Sequence, residues 1–312
     1  MHHMVVGTEA ASRRWPAAVR ERVFREVVRD GALLNNIAAE PEMGSPRGGG
    51  RPVTSLTPLG GGAWALTGRK TFSTLAPALT YALVYAAVED GSGGTARVLV
   101  RCDGPGVRID ETWDSMSMRS TGSHDLVFEG VTVGEDDFLL RRNTKDPLSP
   151  SQPEAWFPLL VAAANLGVGY AARDYAVHFA RTRRPTGAAA PIASIPHVRE
   201  EVSRMEASLA AARIVLLTAA EDFQHHLAKP HGLDAGAAGD LAVQVPIAKR
   251  LATEAAVEAT DIAMRIVGGV GLHRSEPLER YFRDARSGLV NPPIEARALE
   301  QIATHVLDRP PD

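Results

Sequence analysis

Three arginines, Arg181, Arg183 and Arg184, lie within four residues of one another in the second half of the chain. A guanidinium group is planar and donates paired, charge-assisted hydrogen bonds to a phosphate. A basic run is also common at the solvated end of a helix. The cluster is therefore a candidate phosphate-binding site, and the elements around it must decide between the two interpretations.

Two other runs have residue types that are used in catalysis or binding. The GGVG run at 268–271 follows a helical pattern and permits a left-handed turn or a close approach of the backbone. It is not a Rossmann phosphate loop, since no strand precedes it. The Ser-His-Asp run at 123–125 is not a hydrolytic triad, because neighbours on a strand point to opposite faces and do not converge.

The composition excludes several classes of function. The chain has 312 residues, of which 45% are hydrophobic and 23% charged, and a net charge of −3, so no general field attracts nucleic acid or an anionic membrane. Cys102 is the single cysteine, which rules out an internal disulfide and a cysteine-based metal site. No apolar run approaches the roughly 20 residues that span a bilayer, and the first residues lack a secretory signal. We therefore expect a cytoplasmic protein that binds no metal.

The chain changes its periodicity near the middle. From about Leu33 to Leu140, short apolar runs alternate with glycine and proline, which is typical of a β-barrel or sandwich. Trp64 to Thr67 leads into Gly68, and residues 70–74 follow it as in a hairpin. After Pro153, apolar residues recur at steps of three and four, which predicts helices. Those helices cover residues 158–181, 197–222, 241–267 and 294–307.

These patterns predict an α+β protein with a central β-barrel and a C-terminal four-helix bundle. We expect the barrel domain at 31–142 and the bundle at 143–312. The stretch before them, residues 1–30, includes a polar helical segment from Glu9 to Arg29. Its narrow stripe of Val19, Val23 and Val27 needs a packing partner that nothing earlier in the chain supplies.

Local motifs in a fixed order resemble the acyl-CoA dehydrogenase superfamily. The motifs are VGTEAA at 6–11, EPEMGS at 40–45, WALTGRKTFST at 64–74, MRSTGSHD at 118–125, FEGVTV at 128–133, RTRRPTG at 181–187, IVGGVG at 266–271 and PLERYFRD at 277–284. They extend over most of the chain. In this family a helical domain precedes the barrel, and the resemblance implies that this domain is largely missing here.

The resemblance implies a flavin cofactor, FAD with FMN as the alternative. Phe72 occupies the position where a large aromatic side chain packs against the isoalloxazine ring. Ser73 and Thr74 follow with hydrogen-bonding groups for the ring edge. The other implied cofactor contacts are Asn36, Ser45, Arg183, Gly268 and Gly269. In relatives the last three positions serve the cofactor of a neighbouring subunit, so the resemblance implies a homo-oligomer, a dimer or a tetramer.

The carboxylate that dehydrogenases use as a general base is not at its usual position. Counting from the last helix places Pro292 at the usual glutamate position, and Phe157 or Pro158 at the alternative one. Glu295 and Glu154 lie about one helical turn away. Glu295 is a catalytic candidate if the register shifts, and Glu154 could serve in the same way, but both positions are more typical of helix-capping or surface residues. The resemblance thus implies a flavin oxidoreductase acting on CH–CH groups of acyl-CoA-like substrates, without the usual glutamate.

Two alternatives remain open. Residues 291–293 (Asn-Pro-Pro) resemble the same loop of flavin monooxygenases in this superfamily, such as dibenzothiophene monooxygenase. Those enzymes use O2 and reduced flavin from a separate reductase, and Asn291 would then be the catalytic candidate. The other alternative is an inactive fragment that serves as an oligomerisation module. The partners implied are a small-molecule substrate of the acyl-CoA thioester type and a flavin reductase or electron-transfer protein.

Overall fold

A computed structural model describes residues 1–43, 51–142, 155–227 and 235–308, with the backbone alone for 235–238. The chain divides into two compact units. Unit 1 comprises Met1–Ser115 with Arg119–Pro150, and unit 2 comprises Met116–Met118 with Ser151–Asp312.

Unit 1 is built on one mixed sheet that follows two helices. The helices are α1 (His2–Ser12) and α2 (Ala17–Asp30), and the strands are β1 (Leu34–Ile37), β2 (Ser55–Gly60), β3 (Ala63–Lys70), β4 (Tyr81–Val88), β5 (Thr95–Arg101), β6 (Val107–Asp110), β7 (Asp125–Gly134) and β8 (Phe138–Arg142). The strand order is β6-β7-β3-β2-β4-β5-β8, and β1 pairs in parallel with β4. The predicted β structure is confirmed; closure into a barrel stays a prediction.

The prediction of a hairpin turn at Gly68 is wrong. Strand β3 runs through this residue, and the turn joins β2 to β3 at Gly60–Gly62 instead. Gly68 has a φ of 151° and lies where the register between β3 and β7 shifts. A glycine inside a strand often marks such a bulge, so the residue that looked like a turn is an irregularity within a continuous strand.

The single helical segment expected from Glu9 to Arg29 is two helices. Arg13 ends α1 in the left-handed conformation with a φ of 48°, and Pro16 caps the start of α2. The carboxylate of Glu9 accepts hydrogen bonds from the N–H groups of Arg14 and Trp15. A helix cannot continue through these backbone angles, so the chain turns and starts again.

The valine stripe of α2 finds its partner later in the chain. Val19 and Val23 are buried, and with Val5 they form a cluster against one face of the sheet, where the strand residues are Leu34, Tyr81, Leu83, Leu99 and Leu139. Strand residues alternate between faces, so the opposite face carries a second core that includes Leu56, Val84, Val98 and Phe128.

Unit 2 is helical. Its helices are α3 (Trp156–Thr182), α4 (Pro196–Leu227), α5 (Ala235–Val267), α6 (Pro277–Ala285), α7 (Ser287–Val290) and α8 (Glu295–Leu307). Each of the four helices predicted from periodicity is present. The core between α3, α4 and α5 is rich in alanine, and a Cβ added at Gly169 would lie 3.0 Å from Ala256 Cα. Small residues therefore set the close packing of these helices.

The expected α+β class, with a sheet domain followed by a helical domain, is confirmed. In the described ranges, no helix is both long and apolar enough to cross a membrane.

Candidate functional site

The segment 71–75 follows β3 directly and is called the Phe72 loop below. Phe72 has a φ of 53°, and its side chain is 63% exposed. Its ring meets the Trp113 ring edge to face, with the centroids 6.1 Å apart. A bulky residue rarely adopts a positive φ, and such strain concentrates at ligand-binding sites. An exposed aromatic ring held on a strained backbone makes this loop the strongest candidate for ligand contact in unit 1.

Several side chains with hydroxyl groups lie in the Phe72 loop and next to it. Ser73 is fully buried, and its N–H donates to the carbonyl of His124 at 3.1 Å. Its Oγ has no hydrogen-bond partner among the described residues. The Thr74 hydroxyl lies 3.0 Å from Ser123 Oγ, which in turn lies 2.7 Å from Thr121 Oγ1. Hydroxyls donate or accept, so this row can adapt to either kind of ligand atom.

Strand β1 places its two asparagines differently. Asn35 is buried; its Nδ2 donates to the Thr74 carbonyl at 3.0 Å, and its Oδ1 has no partner among the described residues. Asn36 projects from the other face of the strand, where its Oδ1 accepts a hydrogen bond from Arg97. The structure therefore brings Asn35 to the Phe72 loop, whereas the sequence reasoning selected Asn36. The other implied contact on this side, Ser45, lies outside the described residues.

A buried ion pair lies at the start of the Phe72 loop. Lys70 Nζ donates to Glu40 Oε1 at 2.6 Å, and the two side chains are 0% and 1% exposed. Burial lowers the pKa of Lys70 to about 8, although the carboxylate of Glu40 opposes this shift. Burial alone would raise the pKa of Glu40, but hydrogen bonds from Lys70, Thr54 and Val53 outweigh it and hold that pKa below its usual value. Both groups are charged at neutral pH.

The side chains of the Ser-His-Asp run have separate partners. His124 Nδ1 accepts from the Trp113 N–H at 3.1 Å, and Asp125 accepts from Arg69 Nε at 2.7 Å and Thr112 Oγ1 at 2.9 Å. These bonds hold the strand next to the Phe72 loop.

In unit 2, the arginine run lies where α3 ends. Arg184 is used locally, since its guanidinium donates to the carbonyls of Ala188 and Ala189 at 3.0 and 2.8 Å. Arg181 and Arg183 are exposed. In the part of the chain that the structure describes, the Arg183 side chain makes no hydrogen bond or ion pair. Its guanidinium is therefore available to an anion.

The glycine run forms a 3-10 turn, Gly268–Leu272, after α5. Gly268 has a φ of 69°, and a Cβ added at Gly268 or Gly269 would meet no atom within 4 Å. Gly271 is buried instead, against Leu278 and Met264. Only the first two glycines thus expose their backbone to a ligand.

The segment 288–295 extends from within α7 to the first residue of α8, and residues 291–294 connect the two helices. Lys249 is buried, and its Nζ donates to the Gly288 carbonyl at 2.6 Å; burial lowers the pKa of Lys249 to about 8. The Asn291 N–H donates to the Ser287 carbonyl at 3.1 Å, and this residue is half-buried. Glu295 opens α8 with its side chain 61% exposed, where it accepts from Arg250 Nε at 3.3 Å. Glu295 therefore has the geometry of a surface residue at a helix start.

The positions considered for an alternative base lie at the start of α3. Phe157 is half-buried and Pro158 is buried, and neither can take up a proton. Glu154 lies outside the described residues.

Sequence reasoning missed Asn35, Trp113 and the pair of Glu40 with Lys70. Lys70 lies between Arg69 and Thr71, so no apolar pattern around it indicates that it is buried. Among the described residues, no three His, Cys, Asp or Glu side chains are grouped so as to hold a metal ion.

Comparisons with known proteins identify relatives along nearly the whole chain. Residues 36–131 match the model of the acyl-CoA dehydrogenase middle domain, and residues 158–290 match that of the C-terminal domain. A putative acyl-CoA dehydrogenase of Bacillus subtilis, YdbM, is 39% identical over 98% of this chain and 76% of its own length. A 3-(aryl)acrylate reductase of Clostridium sporogenes is 29% identical over 86% of this chain and 67% of its own length.

A solved structure is similar as well. The FMN-bound form of TdsC from Paenibacillus sp. A11-2 superposes with a TM-score of 0.86 at 25% identity, covering 98% of this chain and 78% of that one. TdsC is a dibenzothiophene monooxygenase. Taken with the two domain matches and the Bacillus relative, this likeness leads to one conclusion: the chain belongs to the acyl-CoA dehydrogenase family.

Proposed function

We propose that this protein is a flavin-dependent oxidoreductase in which Phe72 packs against the isoalloxazine ring. The observation that carries the proposal is the exposed Phe72 side chain on a backbone with a φ of 53°. The loop lies within the segment that matches the family's middle domain. A flat aromatic ring offers the apolar wall that a flavin requires.

The polar groups of the Phe72 loop fit the edge of a flavin. Buried polar atoms without partners are rare in folded proteins, and two of them, Ser73 Oγ and Asn35 Oδ1, lie at this loop. With the Thr74 hydroxyl they supply both donors and acceptors, as the ring edge needs. A bound flavin supplies hydride or electron transfer. We propose FAD as the cofactor, with FMN as the alternative because the similar TdsC structure contains FMN.

We further propose a homo-oligomer, a dimer or a tetramer, in which Arg183 and the backbone at Gly268 and Gly269 bind the phosphate end of a flavin held by a neighbouring copy. The exposed Arg183 guanidinium and the open space at both glycines support this assignment. Light scattering tests it, since a strictly monomeric protein would exclude a shared site. A cytoplasmic location stays a prediction from the sequence.

For the reaction, the first candidate is oxidation or reduction at CH–CH groups of an acyl-CoA-like substrate. The names of the Bacillus and Clostridium relatives support it. Removal of a proton next to a thioester requires a base within hydrogen-bond reach. Glu295 is the only carboxylate in the segment 288–295, and it is exposed and engaged with Arg250. In this candidate, Glu295→Gln abolishes flavin reduction by substrate.

The second candidate is a monooxygenase that receives reduced flavin from a separate reductase. The likeness to TdsC and the Asn-Pro-Pro run at 291–293 favour it. Here Asn291 would act as a hydrogen-bonding group and no strong base is required.

One set of spectra tests these proposals. The purified protein is titrated with FAD and with FMN, and binding is followed by flavin fluorescence. Phe72→Ala should weaken binding about tenfold, which corresponds to about 1.4 kcal/mol, whereas Leu59→Ala should leave it unchanged, since Leu59 is a similarly exposed apolar residue on β2. Binding of neither flavin by the wild type would refute the proposal and leave the oligomerisation module.

The bound flavin then distinguishes the reactions. Bleaching of the oxidised flavin by butyryl-CoA without oxygen supports the dehydrogenase. Transfer of isotopically labelled oxygen from O2 to added dibenzothiophene, with added reduced flavin as the reductant, supports the monooxygenase, since a dehydrogenase inserts no oxygen into its product.

A further inference from the structure

The Glu40–Lys70 ion pair needs an explanation other than stability. Both side chains lie almost completely out of contact with water, 2.6 Å apart. The free energy of removing two charges from water often cancels their attraction, so apolar residues in their place frequently stabilise a protein equally well. The contacts around the pair indicate what it does instead.

Glu40 holds together two stretches that are distant in sequence. Its Oε2 accepts from the Val53 N–H at 2.7 Å, and its Oε1 accepts from the Thr54 N–H at 3.0 Å as well as from Lys70. The Glu40 carboxylate therefore holds the two ends of the segment 41–52 close together.

The two ends of the segment 41–52 contact β3 just before the Phe72 loop. Lys70 Nζ also donates to the Ala38 carbonyl at 3.4 Å, and the Thr71 N–H donates to the Ala39 carbonyl at 3.0 Å. The backbone at Thr54 also packs directly on β3. A Cβ added at Gly68 would lie 2.6 Å from Thr54 Cα, so only a glycine allows the two stretches to come this close. Because Phe72 is only two residues beyond Lys70, where β3 ends, a displacement of Lys70 also displaces the Phe72 loop.

We propose that the buried Glu40–Lys70 pair is a positioning device for flavin binding, which fixes the two ends of the segment 41–52 against β3 and thereby sets the place of the Phe72 loop. This inference rests on the proposed function. It assigns neither residue to the flavin itself, since both are buried beneath the loop. Flavin affinity, more than folding, should depend on the pair.

A double variant separates the two roles. Glu40→Gln with Lys70→Met removes both charges, keeps an amide oxygen for one of the two N–H groups of Val53 and Thr54, and puts a straight apolar chain in place of lysine. The full chain is compared with the wild type by thermal unfolding and by titration with FMN and FAD. We expect a folded protein whose flavin affinity is lower by about tenfold and whose bound flavin has visible absorption bands closer to those of free flavin. A double variant that is folded and equals the wild type in affinity and bands overturns the inference.

A second variant covers the case in which the double variant does not fold. Glu40→Asp keeps the charge but shortens the side chain by one methylene, so the two ends of the segment 41–52 must shift. We expect weaker flavin binding and altered bands here too, and wild-type values in this variant would refute the proposal. The matched control is Glu89→Gln, which breaks the exposed pair of Arg51 with Glu89 near the same ends and should change neither quantity. If the wild type binds no flavin, the proposed function is refuted, and the positioning role is refuted with it. If the wild type binds flavin and the variants equal it, only the positioning role is refuted.

Discussion

Among the residues that the structure describes, each unit of this protein buries one lysine, and the two lysines have different partners. Lys70 in unit 1 faces a carboxylate, Glu40, at 2.6 Å. Lys249 in unit 2 faces a backbone carbonyl, that of Gly288, also at 2.6 Å. Burial lowers the pKa of both to about 8. A buried charge can thus be kept by an opposite charge or by a peptide dipole, but only the first partner can be removed by mutation.

The largest effect should follow when Lys70 loses its partner. Glu40→Gln leaves a buried ammonium group without a counter-charge, beside the Tyr85 ring that the Arg97 guanidinium also contacts. We expect the free energy of unfolding, measured with urea, to fall by about 4 kcal/mol. Adding Lys70→Met should recover most of this loss, because the unpaired charge is then gone. No recovery in the double variant would mean that the hydrogen bonds of Glu40, not the charge of Lys70, dominate.

The glycine beside each lysine should be the next most sensitive position. Gly68 has a φ of 151°, and a Cβ there would lie 2.6 Å from Thr54 Cα, whereas a Cβ at Gly288 would lie 2.7 Å from Thr253 Cγ2. Because a backbone atom yields less than a side-chain methyl group, we expect Gly68→Ala to cost about 3 kcal/mol and Gly288→Ala about 2 kcal/mol.

Urea unfolding of both alanine variants measures this difference. Gly269→Ala is the control, since a Cβ there meets nothing within 4 Å and should cost less than about 1 kcal/mol. Equal losses at Gly68 and Gly288 would show that the two sites are equally rigid.

A smaller effect should appear in the pH dependence of stability. Folded Lys249 releases its proton near pH 8, while an ordinary lysine keeps it until about 10.5. Between these values the unfolded chain binds more protons, so rising pH favours the folded state. Between pH 8 and 10, the wild type should therefore gain about 1–2 kcal/mol relative to Lys249→Met.

Unfolding in urea at a series of pH values checks this sign. Arg297→Gln, which breaks the exposed pair of Arg297 with Glu300 on α8, should follow the wild type at each pH. A constant difference between the wild type and Lys249→Met would show that Lys249 keeps an ordinary pKa in the folded protein.

The smallest effect should come from the exposed pair next to Lys249. Arg250 and Glu295 are 36% and 61% exposed and 3.3 Å apart. Solvent screens such pairs, so Arg250→Gln should lower the free energy of unfolding by less than about 1 kcal/mol. A loss comparable to that of Glu40→Gln would show that the pairs of Arg250 with Glu295 and Glu254 contribute more than their exposure suggests.

Much of the architecture could be predicted because it depends on local periodicity. Apolar runs of strand length and steps of three and four residues follow from how side chains project from strands and helices. The prediction at Gly68 is wrong because a glycine suits a turn and a strand bulge equally well. The break between α1 and α2 was missed although Pro16 signalled it.

The sequence predicts the aromatic residue of the candidate site, but it does not identify which polar residues lie beside it. Phe72 belongs to a contiguous motif, so its neighbours along the chain identify it. Asn35 and Asn36 are adjacent and chemically identical, and only the face of β1 that meets the Phe72 loop distinguishes them. The face of a strand to which a side chain points depends on the strand register, and a shift of one residue moves each side chain to the opposite face.

By itself, the sequence determined the order of a β half and a helical half, the family, and the motif around Phe72. Only the tertiary structure decided that the valines of α2 pack on the sheet, that Glu40 meets Lys70, and that Arg250 engages Glu295. Each of these contacts joins residues at least 11 positions apart. The physical reason is that long-range pairing depends on how whole elements pack, and no local pattern of residue types encodes it.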